Sequence, residues 1–216
     1  MAVGPPGRGA DAVGGRRRRP AGPPHVRRIM ERWGIIADDN TGASDAAGML
    51  TERGVPTVLV LNPEVSETER RAIAAAAAVI VGTQNRSIRP AAAAAATRDA
   101  IDRLRAAGFA RFQIKYCSTF DSTPEGNIGP TLDAALEALG ARATIVCPAL
   151  PVNGRTVYMG RLFVGRLPLD ESPLRDHPLN PMTDANLARW LQRQTARRVD
   201  LVDLTVVRRG AAAVRA

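Results

Sequence analysis

An alternation constrains this chain more than any other feature. Short apolar, β-branched runs recur, each followed by a stretch with helical spacing. Residues 33–37 ("WGIIA") form the first run, and 44–53 reads as a helix closed by Gly54. A strand is expected at 55–61, a helix at 67–78, a short buried strand at 79–81 and a helix at 91–107 stopped by Gly108. The pattern repeats with a strand at 111–116, a helix at 128–139 and a strand at 144–147. Strands alternating with helices of this length require crossover connections, so the expected fold is α/β, a mostly parallel sheet flanked by helices. Ligands of such sheets bind beyond the carboxyl ends of the strands. After residue 147 the texture turns Pro/Gly-rich ("PALPVNGRTVYMGRLFVGRLPL"), which predicts an extended or hairpin excursion. A helix at 183–195 with Thr183 as N-cap, a strand at 199–204 and a helical tail follow. The tail reaches Ala216 without a glycine cap or proline, so the domain is expected to be truncated at its C-terminal end.

Charge divides the chain unevenly. The formal net charge is +9, but residues 1–29 hold seven arginines (Arg8, Arg16 to Arg19, Arg27 and Arg28) against Asp11 alone. This Gly/Pro/Arg-rich head has almost no apolar pattern and is expected to be disordered, with residues 30–216 forming one domain. Met30, just ahead of the first apolar run, is an alternative start. The remainder carries neither a basic stripe nor an aromatic platform, so no nucleic-acid partner is expected. No apolar run approaches the roughly 20 residues of a membrane span, and the head lacks the apolar core of a secretory signal. Two cysteines, Cys117 and Cys147, make neither a disulfide framework nor a zinc site, and both read as buried small hydrophobes. With only two histidines no metal-binding residues are expected, and the compartment reads as cytoplasmic.

Four loops, each after a strand candidate, concentrate polar chemistry. The first is Asp38-Asp39-Asn40-Thr41-Gly42. Helix capping by Asn40 or Thr41 would explain one polar residue there, but two adjacent carboxylates repel each other, and capping needs only one side chain. Asp38 and Asp39 are therefore the candidate catalytic pair, with Thr41 beside them as a substrate contact. The second loop, 82–87, contributes Arg86 and Ser87, a guanidinium and a hydroxyl suited to a carboxylate or phosphate. The third is the densest: Lys115, Ser118, Thr119, Asp121, Ser122, Thr123, Gly126 and Asn127 lie within thirteen residues. Lys115 is the sole lysine in a chain that otherwise uses arginine, which points to a need for a compact ammonium. The helix expected after Gly126 offers free N–H groups that favour anions. The fourth loop adds Asn153 and Arg155 around an Asn-Gly turn.

Taken in order, these loops resemble the four-carbon acid sugar kinase family over residues 33–216. "IADDNTGASDAAGML" is similar to that family's opening segment, and "KYCSTFDSTPEGNIGP", "TIVCPALPVNGRTVY" and "HPLNPMTDANL" resemble its 3-oxo-tetronate kinase branch. The resemblance implies a domain that binds the sugar acid, followed in the family by a second α/β domain that binds ATP. It also implies transfer of the γ-phosphate to the terminal hydroxyl of an acid such as 3-dehydro-tetronate. Asp39 or Asp38 would orient or deprotonate that hydroxyl, or hold the Mg²⁺ that accompanies ATP. The chain departs from the family in its basic head and in Asn40, which stands where a hydrophobic residue is expected. The nucleotide-binding half is expected to be absent from these residues, so the expected partners are a small sugar acid and a separate nucleotide-binding domain or a second copy. The competing class is a stand-alone, non-catalytic binder of a small hydroxy acid. A receiver-like phosphoacceptor is disfavoured because the second loop offers no aspartate at its strand end.

Overall fold

The computed structural model describes residues 31–62 and 64–215; the basic head and Met30 lie outside the described residues. Four parallel strands, β1 (Trp33–Ala37), β2 (Thr57–Val60), β3 (Ala78–Gly82) and β4 (Arg111–Lys115), form one sheet in the order β2-β3-β1-β4. The intervening helices are α1 (Asn40–Glu52), α2 (Glu67–Ala75) and α3 (Pro90–Ala106), and α4 (Ile128–Leu139) follows β4.

Alternation along β1 separates the two faces. Ile35 and Ala37 join Ile80 and Ala43 in a core shared with α1, while Ile36 packs with Val79, Ala100, Ile101 and Leu104 beneath α3. The loop after β1 therefore leads to one face and the loops after β3 and β4 lead to the other. Neighbouring strands whose loops part in this way open a crevice at the carboxyl edge.

Register decides which loops meet there. Ala37 pairs with Gly82 on one side and Lys115 on the other, so three strands end at the same level. The loops beginning at Asp38, Thr83 and Tyr116 thus start side by side, and the Asp38 amide donates to the Lys115 carbonyl at 3.0 Å.

The Pro/Gly-rich excursion is a small antiparallel sheet of β5 (Arg155–Tyr158), β6 (Arg161–Val164) and β7 (Leu167–Pro168). Together with α5 (Leu187–Gln192) it closes a second core around Trp190, Phe120, Leu162, Leu169 and Met182.

Several expectations shift. Helix α1 begins at Asn40 rather than at residue 44, because Asp39 caps it by accepting from the Gly42 amide at 2.7 Å. Residues 144–147 do not enter the sheet: Ile145 is 81% exposed, and the Cys147 amide donates to the Tyr116 hydroxyl instead of to a strand. The strand expected at 199–204 does not form: 199–203 carry no regular structure, and the Asp203 carboxylate accepts from Thr205 and Val206 and starts α6 (Leu204–Arg208). The helix expected from Thr183 starts only after its cap Asn186, since Asp184 turns back onto the Asn186 amide and Arg189. The cysteines are less buried than expected, with Cys117 partly covered and Cys147 exposed.

Candidate functional site

The two aspartates of the first loop divide their work. Arg86 grips Asp38 in a two-pronged ion pair, Nε to Oδ2 at 2.8 Å and Nη2 to Oδ1 at 3.0 Å. Its Nη2 also lies 2.9 Å from Oδ2 of Asp39, whose Oδ1 caps α1. Capping thus falls to an aspartate, not to Asn40 or Thr41. Asp38 is buried, whereas the Asp39 side chain retains 29% of its surface. Burial pulls the Arg86 guanidinium down, but the bond and charge of Asp38, with Cys117 and Asp39 behind it, more than offset that and drive its pKa above the ordinary value. The group is a permanent cation held in a fixed plane.

Lys115 closes the other side. Its Nζ donates to the Tyr116 carbonyl at 2.8 Å and lies so close to α1 that a Cβ at Gly42 would come within 3.0 Å of it. The same Cβ would stand 2.6 Å from Asp39 Oδ1, so only glycine lets the helix start against both groups.

Next to the Arg86 fork is a small cavity of about 10 Å³ in which Asp38, Asn85, Arg86, Asp121 and Asn127 meet the apolar Ile114 and Ile128. Asn127 does not cap α4; its Nδ2 donates to the carbonyls of Asn85 and Ile88, both at 2.6 Å, and so pins the β3–α3 loop. Thr119 donates to Asp121 at 3.1 Å and sits 2.9 Å from Cys117 Sγ. Burial pushes the Tyr116 phenol up to about 12, opposed by the bond from the Cys147 amide and reinforced by the Cys147 charge.

The structure sorts the remaining candidates by place. Thr41 and Ser87 are exposed and do not line the cavity, and Ser118 is half-buried in the third loop. Ser122 is buried and has no capacity left for a ligand: it donates to Phe120 and accepts from Trp190 Nε1 at 3.1 Å and Gln194 Nε2 at 2.9 Å. Gln194 also takes the Thr123 carbonyl and the Gly129 amide, while Gly126 turns back onto Thr123. Ser122, Thr123 and Gly126 thus brace the third loop against α5. Asn153 and Arg155 bond each other on the small sheet and do not line the cavity. Asn85 was read only as one of the second loop's amide donors, and Tyr116 and Gln194 were given no role in the sequence. One buried amide beside an arginine, and one glutamine 71 residues from the Thr123 carbonyl it binds, leave no local signal.

The carboxylates do not offer a metal seat. Both oxygens of Asp38 engage Arg86, and those of Asp39 engage the Gly42 amide and Arg86. Among the described residues no group of three or more His, Cys, Asp or Glu side chains could hold an ion. None of the described helices is long and apolar enough to cross a membrane.

The model of a family described as "Sugar-binding N-terminal domain" matches residues 33–216. A 3-oxo-tetronate kinase of Methylobacterium radiotolerans is 51% identical over 184 residues, which is 85% of this chain and 42% of that relative. The 3-oxo-tetronate kinase of Escherichia coli is 43% identical and is covered over 47% of its length. A solved Haemophilus influenzae structure superposes with a TM-score of 0.77 at 41% identity, over 84% of this chain and 43% of that one. A Bordetella bronchiseptica domain solved with bound citrate as a domain-swapped dimer has a TM-score of 0.63 at 37% identity, over 74% of this chain and 39% of that one. The chain spans less than half the length of these relatives, over a match that takes in all four loops, and it belongs to the sugar-binding N-terminal domain family.

Proposed function

We propose that residues 30–216 form the acid-binding half of a sugar acid kinase of the 3-oxo-tetronate type, working in the cytoplasm. The observation that carries this reading is the Arg86 fork, oriented by Asp38 and Asp39 where three strands end, with no bond from its Nη1 to another described residue. A guanidinium held this way can present its remaining edge to a carboxylate with little ordering cost. Lys115 adds a second cation beside the start of α1, and Thr41 and Ser87 offer exposed hydroxyls in the first and second loops. Relatives at 43–51% identity are 3-oxo-tetronate kinases, and a relative at 37% holds citrate, itself a small hydroxy acid.

In this reading Asp39, the more exposed of the pair, orients the terminal hydroxyl, while Asp38 acts through Arg86 as a positioning residue. ATP supplies the phosphoryl group when it is bound by polypeptide equivalent to the rest of the relatives' length, contributed by a separate domain or through a second copy. Asp38 and Asp39 do not fit the Mg²⁺ seat that the resemblance implied, and no step is drawn through a metal. Phosphoryl transfer asks the protein mainly to position groups and neutralise charge, which suits a rigid cradle.

Calorimetric titration with 2,4-dihydroxy-3-oxobutanoate, paired with a coupled ADP-release assay, tests the reading. Saturable binding by this chain, with ADP release only once the nucleotide-binding half of a relative is added, is the expected result. Binding without ADP release in that mixture favours the stand-alone binder. Absence of binding rejects both.

A further inference from the structure

We infer that Asn85 is a substrate-binding residue that reads the non-reacting hydroxyl of the acid. This rests on the proposed function and deepens it. Asn85 is 1% exposed, lines the cavity beside Arg86, and has an Oδ1 buried without a hydrogen-bond partner. Its amide orientation follows from its neighbour. The single proton of the Thr97 hydroxyl goes to the Ala93 carbonyl at 2.9 Å, so Thr97 can only accept from Asn85. That places Nδ2 on Thr97 at 3.3 Å and leaves Oδ1 as the unpartnered atom.

An orphaned buried carbonyl oxygen is costly, and a native site normally supplies it with a donor. The rest of the lining explains which donor. Arg86 attracts an acceptor, and the unpartnered Asn85 carbonyl attracts a proton. An alcohol oxygen meets both demands at once, whereas a ketone or carboxylate meets only the first. A cavity of about 10 Å³ holds one oxygen-sized group and not a whole four-carbon acid. In 2,4-dihydroxy-3-oxobutanoate the 4-hydroxyl must stay open to the incoming phosphoryl group, which leaves the 2-hydroxyl for the enclosed seat.

The test compares two acids on two proteins by calorimetry: 2,4-dihydroxy-3-oxobutanoate and its 2-deoxy analogue, 4-hydroxy-3-oxobutanoate, on the wild-type chain and on Asn85→Leu. The wild type is expected to prefer the hydroxylated acid by about tenfold or more, because a site built to bond a hydroxyl rejects the analogue lacking it. Asn85→Leu should reduce that ratio to near one, and Asn85→Asp, of equal size and still an acceptor, should keep a preference at lower affinity. Equal affinity of the wild type for the two acids overturns the inference alone and leaves a bound water as the occupant; this arm needs no variant to fold. A preference retained by folded Asn85→Leu also overturns it. If neither acid binds the wild type, the functional proposal falls and the inference falls with it.

Discussion

Arg86 does two jobs that a lysine could not share. Its planar fork satisfies both oxygens of buried Asp38 and touches Asp39, and the same plane faces the cavity. Arg86→Lys keeps the charge but loses the two-pronged grip. It should cost about 1–3 kcal/mol in urea unfolding, as expected when a buried acceptor loses a partner, and weaken acid binding at least tenfold (roughly 1.4 kcal/mol). Asn40 argues the opposite way. The sequence marked it as polar where a hydrophobic residue was expected, and the structure leaves its Oδ1 buried without a partner, pressed towards Gly82 and Leu61. Asn40→Leu should therefore stabilise the chain by about 1 kcal/mol in the same measurement. Tyr116 supplies a pH signature. Its folded pKa, raised by burial to about 12, lies above the usual value near 10, so its contribution is complete below pH ~10 and is lost as pH rises towards 12. In a Tyr158→Phe background the absorbance titration should show one phenol ionising near pH ~12; a midpoint near ~10 would contradict the burial described.

Among elements, those with a repeating apolar spacing could be read from the sequence almost to the residue. The helix expected at 128–139 is α4, and the strand at 33–37 is β1. Elements decided by a single side chain were not. Asp39 moved the start of α1 back by one turn, Asp203 started α6 at the end of an expected strand, and Asp184 delayed α5, each by turning a carboxylate onto nearby N–H groups. The hydrogen bond and charge of Arg189, outweighing burial, hold the Asp184 carboxyl below the usual range. A depressed folded pKa gives stability that is present above the unfolded value near ~3.9 and is lost as pH falls through the lower folded one. Asp184→Asn should therefore lower stability near neutrality, flatten the acid limb of the profile between pH ~5 and ~2, and change little below that limb. The contacts between the third loop and α5 hang on Gln194, which bonds Ser122, Thr123 and Gly129. Gln194→Ala should lower stability by about 2–3 kcal/mol, because it strands a buried amide and a carbonyl, and hydrogen exchange should then rise across residues 120–130.

Across the whole molecule, the parts of the site that register brings together were legible in advance: paired strand ends carry their loops with them, so Asp38, Arg86, Lys115 and Asp121 could be grouped from spacing alone. What spacing could not show is which polar groups are spent on each other. Ser122 is consumed by Trp190 and Gln194, Asn153 and Arg155 stay on the small sheet, and Asn85 emerges as the buried acceptor. Ten or more residues separate most of these partners, and only the folded core brings them together. If the Asp38–Arg86–Asp39 cluster seats a four-carbon sugar acid, titration of 2,4-dihydroxy-3-oxobutanoate into the wild-type chain and into Arg86→Lys by calorimetry will show it. Saturable one-site binding by the wild type, weakened at least tenfold in the variant, is the predicted result; no saturable binding, or equal affinity in both proteins, would contradict it.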